Sequence, residues 1–231
     1  MSENADRAWA GCRVVISAGP TFEDIDPVRF IGNRSSGKMG FAIAEAAARR
    51  GAEVRLVAGP VALPTPSGVH RTDVRSAAQM HAEVIAALPA QVYIGAAAVA
   101  DYTPRQVAPG KIKKQAGQTT LTLELVRTPD ILAEVARHPQ RPRVVVGFAA
   151  ETDNVEGYAR GKLVAKQLDL IAANRVGVAG SGFESDHNAL TVYWVDGERA
   201  LGPAPKTELA ERLLDLIVQR LTCAGSQGPA R

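Results

Sequence analysis

Along the chain, short apolar runs alternate with amphipathic stretches. "RVVISAGPT" opens the series, and its β-branched core Val14–Ile16 reads as a buried parallel strand. A long polar segment, "FEDIDPVRFIGNRSSG", follows before an Ala-rich helix begins at Lys38 and stops at Gly51. "EVRLVAG" is the second strand, so the chain opens as a βαβ unit with an enlarged first loop. The alternation continues. "GVHRTDV" reads as a short strand, "SAAQMHAEVIAALP" as a helix capped by Ser76, and "QVYIGAAAVADY" as a strand running into a small-residue loop. "TLTLELVRT" alternates, with Leu121, Leu123 and Leu125 on one side. "TPDILAEVARH" predicts a helix with Thr128 as N-cap, Pro129 at its first position and Asp130 in its first turn. "RVVVGFA", "NVEGYARGKLVAKQL" and "DLIAAN" predict strand, helix and strand. "ALTVYWVDGERAL" predicts a hairpin around Asp196-Gly197. "KTELAERLLDLIVQRL" is an amphipathic helix striped by Leu209, Leu213, Ile217 and Leu221. The fold class is therefore α/β: a Rossmann-like, doubly wound, mostly parallel sheet with a C-terminal β-hairpin and helix.

Composition narrows this picture only a little. The chain has 231 residues, 46% of them apolar, 22% charged, with a net charge of +3. This suits one large α/β domain and does not argue for nucleic acid or a membrane surface. The expected division is an N-terminal tail at 1–12, a domain at 13–222 and a disordered tail at 223–231. Cys12 and Cys223 lie near opposite ends, with no Cys-x-x-Cys spacing and four scattered histidines. Two free thiols in a reducing cytoplasm are expected, not a zinc site or a disulfide framework. "MSENADRAWA" has no apolar core for a signal peptide, and no run reaches the ~18 apolar residues of a membrane span.

In a sheet of this kind, ligands bind at the carboxyl ends of the strands. "AGPT", "GNRSSGKMG", "GAAAVADY", "GFAAE" and "AAN" fall there, rich in small residues that let a ligand approach backbone. Gly32, Gly37 and Lys38 match G-x-x-x-x-G-K, but Met39 stands where a P-loop needs a hydroxyl for Mg²⁺. No G-x-G-x-x-G is present, and the second strand ends in Ala58-Gly59 with no acid for a ribose. Ser35, Ser36 and the N–H groups between Gly37 and Gly40 can instead cradle phosphate, or simply form an ordinary capped helix start. Asp101 leads into a loop carrying Lys111, Lys113 and Lys114, which can close over a polyphosphate or remain a solvated basic run. Lys162 and Lys166 share one helix face. Phe148 can stack on a base or fill core, and Glu151 can hold metal, a ribose hydroxyl or a helix end.

Taken in order, "AGPTFEDIDPVRFIGNRSSGKMGFAIA", "AAVADY", "KIKK", "TPDIL", "VGFAAET" and "ANRV" resemble bacterial phosphopantothenate–cysteine ligase, the ligase domain of a bifunctional coenzyme A biosynthesis protein. The resemblance runs from about Arg13 to Leu221. It implies that CTP, carrying Mg²⁺ on its triphosphate, activates 4′-phosphopantothenate as an acyl-cytidylate, which L-cysteine then attacks. It implies that Asn33 holds the intermediate, with Arg29, Ala97 and Ala98 around the pantothenate arm or its phosphate. Gly95, Ala96, Ala97, Asp101, Lys111, Pro129, Asp130, Ile131, Leu132, Phe148, Lys162 and Lys166 resemble the family's CTP site, with Lys111 also supporting the second half-reaction. Gly19, Ser35, Gly37, Gly40 and Asn174 match nucleotide-contacting positions of related ligases. The family implies a cytoplasmic homodimer whose pocket is completed across the interface. A flavin-dependent decarboxylase domain commonly precedes this ligase. No such domain is seen in this sequence, so FMN binding is not expected from this chain, and the decarboxylase is either encoded separately or removed. Two other readings stay open: an NAD(P) oxidoreductase, which needs a glycine fingerprint, and a nucleotide-sensing module without turnover.

Overall fold

The computed structural model describes residues 8–114, 116–117, 119–175 and 185–225. The first seven residues of the expected N-terminal tail, Val176 of "ANRV", the Cys223 side chain and residues 226–231 of the expected C-terminal tail lie outside the described residues.

The elements follow one another as β1 (Arg13–Ala18), β2 (Phe22–Asp24), β3 (Phe30–Gly32), α1 (Lys38–Arg49), β4 (Glu53–Ala58), β5 (Val69–Asp73), α2 (Ala77–Ala86) and β6 (Val92–Gly95). Then come β7 (Tyr102–Pro104), β8 (Leu125–Arg127), α3 (Ile131–Arg137), β9 (Val144–Glu151), α4 (Val155–Ala165) and β10 (Leu170–Arg175). The C-terminal part is β11 (His187–Asn188), β12 (Thr191–Trp194), β13 (Gly197–Ala200), β14 (Ala204–Pro205) and α5 (Lys206–Gly225). An eight-stranded sheet has the order β13-β12-β10-β9-β6-β1-β4-β5. From β10 across to β5 all neighbours are parallel, while β12 and β13 add an antiparallel edge. The strand order reverses between β1 and β6, which opens a crevice at their carboxyl ends.

Strand alternation divides the core into two layers. Val14, Ile16 and Ala18 face the helices α1 and α5, where the Leu209, Leu213 and Ile217 stripe is fully buried and Trp9 is enclosed with it. Val15 faces the other way, toward Met80 and Val84 of α2, Val135 of α3 and Leu163 of α4. Arg50 ties the first layer together, donating to Glu211 Oε2 and Asp215 Oδ1 at 2.8 Å each. On the second, Ser76 caps α2 as expected, through a reciprocal capping box with Gln79.

Three local expectations are corrected. "TLTLELVRT" is strand only over Leu125–Arg127, paired with the equally short β7, and Leu121 is exposed. Alternation needs a core beneath it to stabilise a strand, and this loop has none. The N-cap of α3 is Asp130, accepting from the Ala133 N–H at 3.1 Å. Thr128 instead donates to the Ala100 carbonyl at 2.6 Å. In the C-terminal hairpin Trp194 pairs with Gly197, so the turn is Val195-Asp196 and the glycine opens the return strand. A further small hairpin, β2–β3, folds within the enlarged first loop, where Phe22 and Phe30 stack with ring centroids 3.9 Å apart.

Candidate active site

A cavity of about 950 Å³ lies along the carboxyl ends of β1, β6, β9 and β10. One end is formed by the head of α1. Gly37 precedes this helix at φ 74°, a conformation that costs an L side chain roughly 1–2 kcal/mol but not glycine. It carries no side chain that can cap the helix, so the plain capping reading loses its basis. The first intrahelical bond runs from the Phe41 N–H to the Gly37 carbonyl. Lys38, Met39 and Gly40, whose N–H groups precede that bond, all border the cavity. Gly40 is required by contact: a Cβ there would lie 2.5 Å from the Ala18 methyl at the end of β1. The absent side chain lets the helix head sit directly on the sheet.

The neighbouring wall is the β6–β7 loop, Gly95–Val99 and Asp101. Asn33, just after β3, donates from Nδ2 to the Val99 carbonyl at 2.8 Å, joining this loop to the β2–β3 hairpin. The opposite wall is Pro129–Leu132 at the start of α3, with Phe148 half-buried on β9. Lys166, the C-cap of α4, reaches Asp130 on this wall at 2.9 Å, and Lys162 of α4 reaches Glu151 at the end of β9 at 2.7 Å; both lysines border the cavity. The floor holds a buried hydroxyl pair, Ser17 and Tyr93, 3.0 Å apart. Burial pushes the Tyr93 phenol up to about 12, with the Ser17 hydrogen bond opposing and the Asp130 charge reinforcing the shift.

The structure thus brings together Asn33, Ser35, Gly37, Gly40, Gly95–Ala98, Asp101, Pro129–Leu132, Phe148, Lys162, Lys166 and Asn174. Gly19, Arg29 and Lys111 do not border the cavity. Gly19 lies behind the Gly37 turn, at φ 78°. Arg29 is ion-paired to Asp26 and donates to the Ile112 carbonyl at 2.9 Å, while the Ile112 N–H donates to Asp26 Oδ2 at 3.1 Å. Asp26, its side chain fully enclosed, is held well below the usual carboxylate range, first by the Arg29 guanidinium and then by backbone N–H groups. Both peptide groups flanking Ile112 are therefore pinned, and exposed Lys111 is carried next to a fixed point.

Sequence reasoning passed over Arg34, Arg127, Lys206 and Asn188, which also border the cavity. Arg34 sits inside the quoted "GNRSSGKMG". Lys206 and Asn188 arrive from the far end of the chain and have no local motif. Arg34, Arg127 and Lys206, together with Lys38, Lys162 and Lys166, face two carboxylates, Asp101 and Asp130, among the described residues of the lining. A site with this excess suits a polyanion. Among the described residues no group of three or more His, Cys, Asp or Glu is placed to hold a metal ion. A divalent cation would suit this donor set when brought on the oxygens of a polyphosphate. No helix among the described residues is long and apolar enough to cross a membrane.

Residues 9–221 match the family described as DNA/pantothenate metabolism flavoprotein C-terminal domain. The coenzyme A biosynthesis bifunctional protein CoaBC of Vibrio cholerae is 53% identical over 94% of this chain and 55% of its own length. That of Escherichia coli K12 is 56% identical over 90% of this chain and 52% of its own. The chain therefore spans about half the length of these curated relatives. The crystal structure of the C-terminal domain of a coenzyme A biosynthesis bifunctional protein CoaBC superposes with a TM-score of 0.79 at 42% identity, covering 94% of this chain and 98% of that one.

Proposed function

Because the chain belongs to the DNA/pantothenate metabolism flavoprotein C-terminal domain family, we propose that it joins 4′-phosphopantothenate to L-cysteine at the expense of CTP, within coenzyme A biosynthesis. The observation that carries this reading is the convergence in one cavity of Asn33, the α1 head and the Lys162–Lys166 pair. Parts spaced over most of the chain meet where one nucleotide triphosphate and one acyl substrate can lie side by side.

In the first step a carboxylate oxygen of phosphopantothenate attacks the α-phosphorus of CTP, and pyrophosphate leaves with the electron pair of the broken P–O bond. The product is a mixed anhydride. A bare carboxylate is a poor acylating agent because oxide cannot leave; CMP can. In the second step the cysteine amine attacks the acyl carbon, its proton is lost, and CMP departs with the bond pair, leaving an amide. The α1 head and the lysines stabilise the oxygens on which negative charge grows. Asn33, fixed by the Val99 carbonyl, orients the acyl-cytidylate. Mg²⁺ brought on the triphosphate would offset its charge. Lys111 acts from the loop pinned at Ile112, supporting attack by cysteine. Gly95–Ala97, Asp101, Pro129–Leu132 and Phe148 hold the nucleotide, and Ala98 and Arg29 serve the pantothenate side.

The catalytic domain is residues 13–222, acting as a cytoplasmic homodimer. Exposed Val28, Phe30, Tyr102, Leu121 and Leu125 on and beside the two small hairpins support a second copy covering this side of the cavity. A decarboxylase consumes its product, removing the cysteine carboxyl group that the new amide carries, as a neighbouring domain or a separate protein.

Replacing Asn33 with Ala tests the assignment. Product formation should be lost while CTP affinity, measured by calorimetry, is kept, because the backbone cradle survives. Turnover at the wild-type rate overturns the role. Lys111→Gln should slow steady-state turnover strongly, and unchanged kinetics would return that loop to a solvated surface.

A further inference from the structure

Lys206 is the first residue of α5, only 6% exposed, yet it borders the cavity. Its backbone N–H donates to the Asp186 carbonyl at 2.9 Å, holding the helix start against the β11–β14 ladder. Lys38, at the head of α1, borders the same cavity and donates from Nζ to Asp186 Oδ1 at 2.7 Å. A single residue, Asp186, thus joins the Lys38 ammonium, through its carboxylate, to the backbone at the start of α5, through its carbonyl.

This arrangement carries an electrostatic cost. Enclosing an ammonium group removes its hydration, and a second cation nearby adds repulsion. Desolvation first, and Lys38 second, hold the Lys206 amine below the ordinary lysine range, with Asp186 offsetting part of this. Methionine has nearly the same length and fills such a position without either penalty. Destabilising charge placed at a cavity marks a place where a ligand restores the balance.

We propose that Lys206 and Lys38 form a phosphate-binding subsite at the α1 end of the cavity, across from Lys162 and Lys166. A phosphate oxygen there accepts charge-assisted hydrogen bonds from both ammonium groups. The phosphate can come from the tail of CTP or from the 4′-phosphate of phosphopantothenate. That choice rests on the ligase reading; the subsite itself does not.

The test is calorimetric titration of the full chain, wild type and Lys206→Met, with inorganic pyrophosphate, CTP, CMP, phosphopantothenate and pantothenate. Thermal unfolding beside the titrations checks that the variant is folded. Its pyrophosphate affinity should fall about tenfold or more, the size of one lost charged hydrogen bond. Loss for CTP but not CMP identifies the nucleotide tail as the source; loss for phosphopantothenate but not pantothenate identifies the 4′-phosphate. Lys38→Met, altered at a more exposed position, should lose pyrophosphate in the same way and serves if Lys206→Met does not fold. Affinities within about twofold of wild type for all phosphorylated ligands overturn the subsite, as does a wild type that does not bind pyrophosphate. A wild type that binds pyrophosphate through Lys206 but forms no product would keep the subsite and sink the ligase reading.

Discussion

Gly40→Ala should uncouple the α1 head from the sheet. The added Cβ would stand 2.5 Å from the Ala18 methyl, where ordinary contact begins at 3.4 Å. Ala18 is fully buried at the end of a strand paired on both sides, so it cannot yield; the helix start must move by about 1 Å instead. Overpacking of this kind costs about 1–3 kcal/mol, and the better helix propensity of alanine returns at most about 1 kcal/mol. The net loss of about 0–3 kcal/mol lowers the melting temperature by about 0–12 °C, at about 2–4 °C per kcal/mol for a chain of this size. Function should suffer far more. The first-turn N–H groups are the cradle, and a displacement of about 1 Å from a reacting group can lower a rate about 100-fold. Steady-state kinetics with CTP as varied substrate, beside thermal unfolding, separates the two effects. A variant within about twofold of wild-type kcat/KM would refute the claim that this helix start positions the phosphates.

Two further outcomes follow from the same geometry. Lys162→Ala removes a partly exposed pair with Glu151, worth about 0–1 kcal/mol, so unfolding should barely change while KM for CTP rises about tenfold or more; equal KM would mean that the lysine is only a surface partner. Tyr93 keeps its proton in the folded chain up to about pH 12, above the ordinary value of 10.0, so its contribution is full below pH 10.0 and is lost as pH rises through that window. Urea unfolding of wild type and Tyr93→Phe should therefore show a stability gap at pH 8 that narrows by about 1.4 kcal/mol near pH 11; a constant gap would show that the phenol does not titrate with unfolding.

The layered α/β fold was legible because its strands are continuous apolar runs and its long helices carry a clear stripe, as Leu209, Leu213 and Ile217 show. "TLTLELVRT" misled because alternation reports the side a residue could face, not whether a core lies there. Asp130 displaced Thr128 as cap because the threonine hydroxyl found the Ala100 carbonyl, a partner distant in sequence. The site was legible where its residues cluster locally, at Gly37–Gly40 and Gly95–Asp101. Lys206, Asn188 and the Asp26 hold on Ile112 were not, since each depends on a tertiary contact that no local pattern encodes.

The most direct test of the central claim is release of CMP and pyrophosphate from CTP with Mg²⁺ and 4′-phosphopantothenate, with and without L-cysteine, and with ATP in parallel. CMP release stimulated by cysteine, with one amide formed per CMP, is the predicted result. Folded protein that releases nothing from either nucleotide would contradict it, and the cavity at Gly37–Gly40 would then be a binding site without chemistry.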